Sequence, residues 1–232
     1  MSGEKNLKEI KKFWPEKAPN INIVQKYVSK YEKEKIVIKY GGNVLIDRNV
    51  FNNFISDINV LNKLGLSIIV VHGGGPRIKR ELDKKKIVSK FINGLRVTDK
   101  SIIDTVEEVL IDFNIDIVNS LKKLGSNATS FHTKSENIIE VEPGKEELGF
   151  VGIPKKINVN LIESALYNNQ IPIIAPLGLG KNNQTFNING DTAASAIAKK
   201  LKSRRLILMT NVEGVYDDQK KLISEIKPFD LE

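Results

Sequence analysis

Three times along this chain a β-branched or apolar run stops at glycine: "IVIKYGGNVL" at 36–45, "SIIVVHGGGPRIKREL" at 67–82 and "IPIIAPLGLG" at 171–180. A helical pattern follows the first two, and strand–helix–strand order demands a parallel sheet with helices on its faces. Glycine at a strand exit leaves backbone N–H groups open to close approach. Where a helix starts beside it, unpaired amides and the helix dipole both favour an anion. The fold class is therefore α/β, and repeated exits along one sheet edge are where open α/β proteins bind ligands.

The rest of the chain fills in around this unit. Residues 21–31 set Ile23, Val24, Tyr27, Val28 and Tyr31 at helical spacing, and Pro15 and Pro19 separate that helix from a shorter amphipathic piece. The pattern predicts strand 36–39, a helix near 50–64, strand 66–71 and a helix from about 76. Segment 88–98 reads as a turn or hairpin, and helices are expected near 99–111 and 114–124. Short strands at 127–131 and 137–141, a hairpin bend in "GFVGIPKKI" and helices at 158–169 and 191–202 follow. "RLILMT", 205–210, reads as a strand buried on both faces.

Composition removes several alternatives. The charge of +8 suggests nucleic acid at first sight, but residues 1–35 carry +4 of it and lysine elsewhere is interspersed with acids. A solvated Lys-rich surface is the simpler reading, so no nucleic-acid partner is expected. No apolar run reaches membrane-span length and no secretory signal opens the chain, so neither membrane nor export is expected. With no cysteine, disulfides and thiolate chemistry are out, in keeping with the cytoplasm. The two histidines, His72 and His132, form no ligand cluster.

Neither early glycine cluster is a Walker A loop or a G-x-G-x-x-G fingerprint. What stands here is K-x-G-G and H-G-G-G-P-R directly after strands. Lys39 at a strand end beside glycines most naturally meets transferring phosphate oxygens. Taken with "FINGLRVTD", "FNINGDTAASAIA" and "LILMTNVEGVYDD", these motifs resemble, in order and spacing, the amino acid kinase family over roughly residues 20–226. "NGLRVTD" and "FNINGD" bring the chain nearest to the branch that phosphorylates an N-acylated amino acid.

The resemblance implies a three-layer α/β/α sandwich with a mainly parallel sheet. It divides the chain into a helical extension (1–34), an acyl-amino-acid lobe (35–180) and the start of a nucleotide lobe (181–232). It implies ATP-dependent phosphorylation of the γ-carboxylate of N-acetyl-L-glutamate, with Mg²⁺ held by the nucleotide and no protein ligand to the metal. Lys39 would stabilise the transferring phosphoryl group and Asp191 would orient catalytic lysines. Gly74 and Gly75 would cradle the reacting carboxylate, while Arg96 and Asn187 would hold the substrate's amino-acid end. Gly41 and Gly42 would admit nucleotide phosphates, and Thr210, Asn211, Val212, Gly214 and Tyr216 would line the nucleotide pocket. A homo-oligomer is implied too, a dimer or a hexamer laced through the helix at 21–31.

The chemistry is consistent with that. A carboxylate acceptor with a pKa of about 4.3 is already ionised at neutral pH and needs no general base. Phosphoryl transfer asks for positioning and positive charge instead. Each residue also has a plainer reading: Arg96 pairing with Asp99 or Glu107, Asp191 as an N-cap or first-turn acid, and His72 as a packed histidine. Departures from the family pattern are "ATSFHTKSENII", where a glycine-rich stretch is usual, and Asn211, where aspartate is usual. The resemblance also places further nucleotide-domain elements with a second catalytic lysine beyond "LISEIKPFDLE". The chain is thus expected to be part of a longer protein, poor in ATP binding and turnover by itself. A sibling carboxylate kinase and a non-catalytic binding homologue are the rival functions.

Overall fold

The computed structural model describes residues 11–31, 34–41 and 47–227. Strands β1 (Lys35–Tyr40) and β2 (Ser67–His72) are joined by α2 (Arg48–Lys63), and α3 (Gly75–Lys84) leaves the end of β2. Helix α2 starts where Asp47 accepts the N–H groups of Asn49 and Val50 at 2.8 and 3.1 Å, a side-chain N-cap. Before β1, helix α1 (Ile21–Val28) docks through buried Ile21 against Val60 of α2, with Phe13 and Trp14 beside it. Ile23, placed with the apolar set by its spacing, is instead 53% exposed.

A short hairpin, β3 (Phe91–Ile92) and β4 (Leu95–Arg96), turns at Asn93 and Gly94, both at positive φ. Helix α4 (Ile103–Lys123), strand β5 (Ala128–Phe131), strands β6 (Ile139–Pro143) and β7 (Gly152–Ile157), and helix α5 (Val159–Tyr167) follow. Strands β8 (Ile171–Ile174), β9 (Leu177–Leu179) and β10 (Thr185–Asn187) lead to helix α6 (Gly190–Leu201) and strand β11 (Arg205–Met209). An exposed hairpin, β12 (Val215–Tyr216) with β13 (Leu222–Ile223), lies beyond.

The central sheet has five strands in the order β11-β1-β2-β8-β5, every neighbouring pair parallel. Side chains alternate across it with period two. Ile36, Ile38 and Tyr40 of β1 join Ile68 and Val70 against Phe54 and Ile58 of α2 and Phe113 and Ile117 of α4. Val37, Ile69 and Val71 face the other way, against Ile162 of α5 and Ala193, Ala194 and Ile197 of α6. Small residues on α6 let it lie close to the sheet. A second sheet, β10-β9-β6-β7, packs into that same apolar layer through Ile139, Val141 and Phe186. Pro154 is tolerated in β7 because that strand is an edge. Helices thus flank a parallel sheet, as the α/β reading requires.

Two local expectations are corrected. Residues 99–111 and 114–124 do not form two helices; α4 runs unbroken from Ile103 to Lys123. Asn114, a weak helix former, sits in the middle of α4 because its side chain finds buried partners at His72, Ser130 and Ile173. Among the described residues strand β11 is not buried on both faces: there it pairs with β1 alone, α6 packs against it, and Leu206, Ile207 and Leu208 are substantially exposed, Leu208 by 46%. The described residues include no helix long and apolar enough to cross a membrane.

Tyr40 and Phe54 stack with ring centroids 3.9 Å apart at 5° and fasten α2 to β1. Phe54→Ala should therefore lower stability by about 3–5 kcal/mol. Urea unfolding would show it as a reduced midpoint at unchanged slope, whereas Ile115→Ala at an exposed position should stay within about 0.5 kcal/mol.

Candidate active site

The ends of β1 and β2 open on one cavity of about 240 Å³, lined among others by Lys39, Gly41, Gly74, Gly75, Arg96, Asn187 and Asp191. It lies at the carboxyl ends of adjacent parallel strands, where open α/β sheets bind ligands. Alternation along β1 dictates the first contact. Lys39 shares the Val37 face, so it emerges under the start of α6, and its Nζ lies 2.9 Å from Asp191 Oδ1. The lysine is only 8% exposed, while the Asp191 side chain is half in solvent.

Glycines make room for that ammonium. A Cβ on Gly41 would stand 2.3 Å from Lys39 Nζ, and one on Gly190 would be 3.4 Å from its Cε. Asp191 does not cap its helix. Asn189 does, its Oδ1 accepting the N–H groups of Asp191 and Thr192 at 2.9 and 3.0 Å, which leaves Asp191 in the first turn with its carboxylate directed to Lys39.

Gly74 N-caps α3, and a Cβ there would stand 2.4 Å from Leu110 Cδ2, so a larger residue would have to displace that side chain. Around a Cβ on Gly75 nothing lies within 4 Å; that face is open. Arg96 is 8% exposed, yet no salt bridge among the described residues includes it, neither to Asp99 nor to Glu107. Its Nη2 donates to the Gly75 carbonyl at 3.1 Å, Nη1 donates to Ser89 Oγ, and the guanidinium lies 4.7 Å over the Phe91 ring. Burial lowers its pKa from the usual arginine value. The charge of Asp83 opposes that shift without forming an ion pair, and a buried guanidinium fork that no carboxylate contacts suits a planar anion.

Asn187 Nδ2 donates to Thr98 Oγ1 at 3.2 Å, tying β10 to the segment after Arg96. Glu107, the other partner offered to Arg96 by sequence, accepts instead from Thr133 and Thr185 at 2.5 and 2.8 Å. Burial pushes its carboxyl up, but those hydroxyls and Lys134 outweigh that and hold it below the usual carboxylate value. Glu107 thereby fastens the unusual 128–139 stretch and β10 to α4.

Gly42 lies outside the described residues. Thr210, Asn211, Val212, Gly214 and Tyr216 follow the end of β11, which is in register with β1 at Tyr40 and Met209, but they sit on the exposed turn and hairpin and do not line the cavity. Sequence reasoning missed Ser89, Phe91 and Thr98, which hold the polar ends of Arg96 and Asn187. Only the tertiary fold brings these together, although "FINGLRVTD" contained two of them. It also missed Asn189, for which an asparagine just ahead of the Ala-rich helix was the available signal.

Buried cations, open glycine backbone and a small cavity at the carboxyl end of a parallel sheet form a site suited to small anions. The sequence pattern of the amino acid kinase family matches residues 34–232, and the chain belongs to that family. It is 50% identical over 218 residues to the acetylglutamate kinase of Pelagibacter ubique (strain HTCC1062), covering 94% of this chain and 76% of the relative. It is 42% identical over 216 residues to that of Clostridioides difficile (strain 630), covering 91% and 76%. Among solved structures, a Streptococcus mutans UA159 protein superposes with a TM-score of 0.69 at 34% identity over 79% of this chain and 75% of that one. N-acetylglutamate synthase from Neisseria gonorrhoeae, at 19% identity and a TM-score of 0.75, covers 88% of this chain and 49% of its own and shares the fold.

His72 is fully buried at the end of β2, and burial lowers its pKa to about 4. The unfolded chain then binds a proton that the native state refuses, so this contribution is fully present above pH ~6.5 and is lost as pH falls toward about 4. Urea stability should drop over that window by on the order of 3 kcal/mol more in the wild type than in His72→Asn. Parallel pH curves for the two proteins would contradict it.

Proposed function

We propose that this kinase transfers the γ-phosphoryl group of ATP to the side-chain carboxylate of N-acetyl-L-glutamate, forming an acyl phosphate on the way to arginine. The observation that carries the reading is the pairing, in one cavity, of a buried lysine beside open glycines with a buried, carboxylate-free Arg96. Relatives named acetylglutamate kinase support the acceptor.

Arg96 suits the α-carboxylate, because its fork gives bidentate geometry and a fixed position. Asn187 would bind the same end of the substrate. The γ-carboxylate then reaches the glycine edge already ionised, so positioning rather than base catalysis starts the reaction. Lys39 meets charge building on the transferring oxygens, and Asp191 keeps its ammonium in place. Bound Mg²⁺ would supply further positive charge to the nucleotide phosphates. Among the described residues the only carboxylate lining the cavity, Asp191, is already engaged by Lys39, a donor set suited to a metal carried by ATP rather than caged by the protein.

In this reading residues 35–180 form the acyl-amino-acid lobe and 181–232 begin the nucleotide lobe, and Gly41 and Gly42 together with Thr210 to Tyr216 meet ATP. A cytoplasmic homo-oligomer fits the cysteine-free sequence and the exposed Ile23 on α1.

Lys39→Ala should lower kcat by at least about 10²–10³-fold with little change in acetylglutamate binding. Arg96→Lys should chiefly raise KM, by about 10-fold or more, because a point charge replaces the fork. ADP release with acetylglutamate, acetylaminoadipate and free glutamate checks the acceptor: acetylglutamate should give the highest kcat/KM. With the complete protein, a better rate on either other acid would overturn the acceptor assignment, and phosphate transfer to none would overturn the kinase assignment.

A further inference from the structure

The first glycine of "HGGGP" is held by both of its polar groups. Gly73 N–H donates to the Tyr40 carbonyl at 2.6 Å, and the Gly73 carbonyl lies 2.8 Å from His72 Nδ1. A carbonyl only accepts, so Nδ1 carries the proton and Nε2 is bare. Asn114 Nδ2 donates to Nε2 at 3.1 Å and also to the Ile173 carbonyl at 3.0 Å. Ser130 donates to Asn114 Oδ1, fixing which way the amide points. The chain of donors closes in one sense only, so a single neutral tautomer satisfies every member.

That arrangement has a consequence at the cavity. The Gly73–Gly74 peptide is trans, so its N–H points opposite to its carbonyl. With the carbonyl drawn into the core by the imidazole, the Gly74 N–H is turned outward, where Gly73, Gly74 and Gly75 line the cavity. Among the described residues it donates to nothing. Glycine has no side chain to hold this orientation, and its backbone is the freest of any residue. His72 supplies the restraint from behind.

We propose that His72 is a positioning residue for phosphoryl transfer: through the Gly73 carbonyl it fixes the Gly74 N–H as a donor to negative charge developing in the cavity. The identity of that charge rests on the kinase reading above; the grip on the peptide does not. Asn114 and Ser130 act one step further back, by selecting the tautomer that can grip.

Substitutions at position 72 separate this from plain packing. An asparagine amide nitrogen reaches about where Nδ1 lies, whereas a glutamine amide reaches about where Nε2 lies. In the full chain, His72→Asn should retain kcat within about 5-fold, while His72→Gln and His72→Leu should lose about 10–10²-fold with KM for acetylglutamate little changed. Equal kcat for the Asn and Gln variants, or an undiminished kcat for a folded Leu variant, would overturn the proposal. Should the Leu variant fail to fold, the Asn–Gln comparison decides. The ring ¹⁵N spectrum of His72 tests the grip without turnover: a protonated Nδ1 and bare Nε2 are expected at pH 7, and the reverse tautomer would overturn the proposal even if the protein is a kinase. A complete wild-type protein with the expected tautomer but no phosphoryl transfer would remove the catalytic role and the kinase reading together.

Discussion

An ammonium group at the end of a doubly covered parallel strand cannot stay there without an anion, and the site is organised around that requirement. Lys39 is 8% exposed and meets one carboxylate, Asp191, at 2.9 Å. Burying a charge costs several kcal/mol unless it is paired and hydrogen-bonded. The pair joins the end of β1 to the first turn of α6, so the strand that carries the lysine and the helix that answers it must stay in register. Arg96 is the second buried cation, and it is left with neutral oxygens and an aromatic face. Asp83 acts on it only from beyond ion-pair distance and is itself paired with Lys79, so the cavity favours an incoming anion.

The fold enforces this by alternation. On β1, Val37 and Lys39 face α6 while Ile38 and Tyr40 face α2 and α4. On β2, Ile69 and Val71 take the α6 side, and His72 lands among Phe113 and Asn114 on the other. One sheet edge thus sends its charged residue to one layer and its neutral histidine to the opposite layer, with glycine backbone between. Groups fixed in this way before substrate arrives need no rearrangement during the reaction. Glu107 extends the same economy to β10, tying Thr185 and Thr133 to α4 two residues from Asn187.

Much of this was legible in the sequence because its causes are local. The strand–glycine–helix units are set by propensity and turn chemistry, and the motifs lie close to the residues that the cavity gathers. What local rules miss is settled by distant partners. Residues 112–113 read as a gap between two helices, and contacts of Asn114 with β2, β5 and β8 carry one helix through. The apolar run of β11 reads as buried on both faces, but the strand order of the described residues puts it at an edge. Asp191 had two local explanations, and the capping one belongs to Asn189. Arg96 had acidic neighbours in sequence, yet the hairpin turns it away from Asp99 and the threonines occupy Glu107.

The Arg96 guanidinium, which no carboxylate among the described residues contacts, is the group on which the orientation of the substrate turns. Calorimetric titration of the protein with N-acetyl-L-glutamate and with the same compound bearing an α-carboxamide tests it directly. Losing one partner of a buried, charge-assisted pair costs about 2–5 kcal/mol, so the amide should bind at least about 30-fold more weakly to the wild type. In Arg96→Met the two compounds should bind within about 3-fold of each other. Equal affinity of the wild type for acid and amide would contradict the assignment of Arg96, and with it the orientation of the substrate in the cavity.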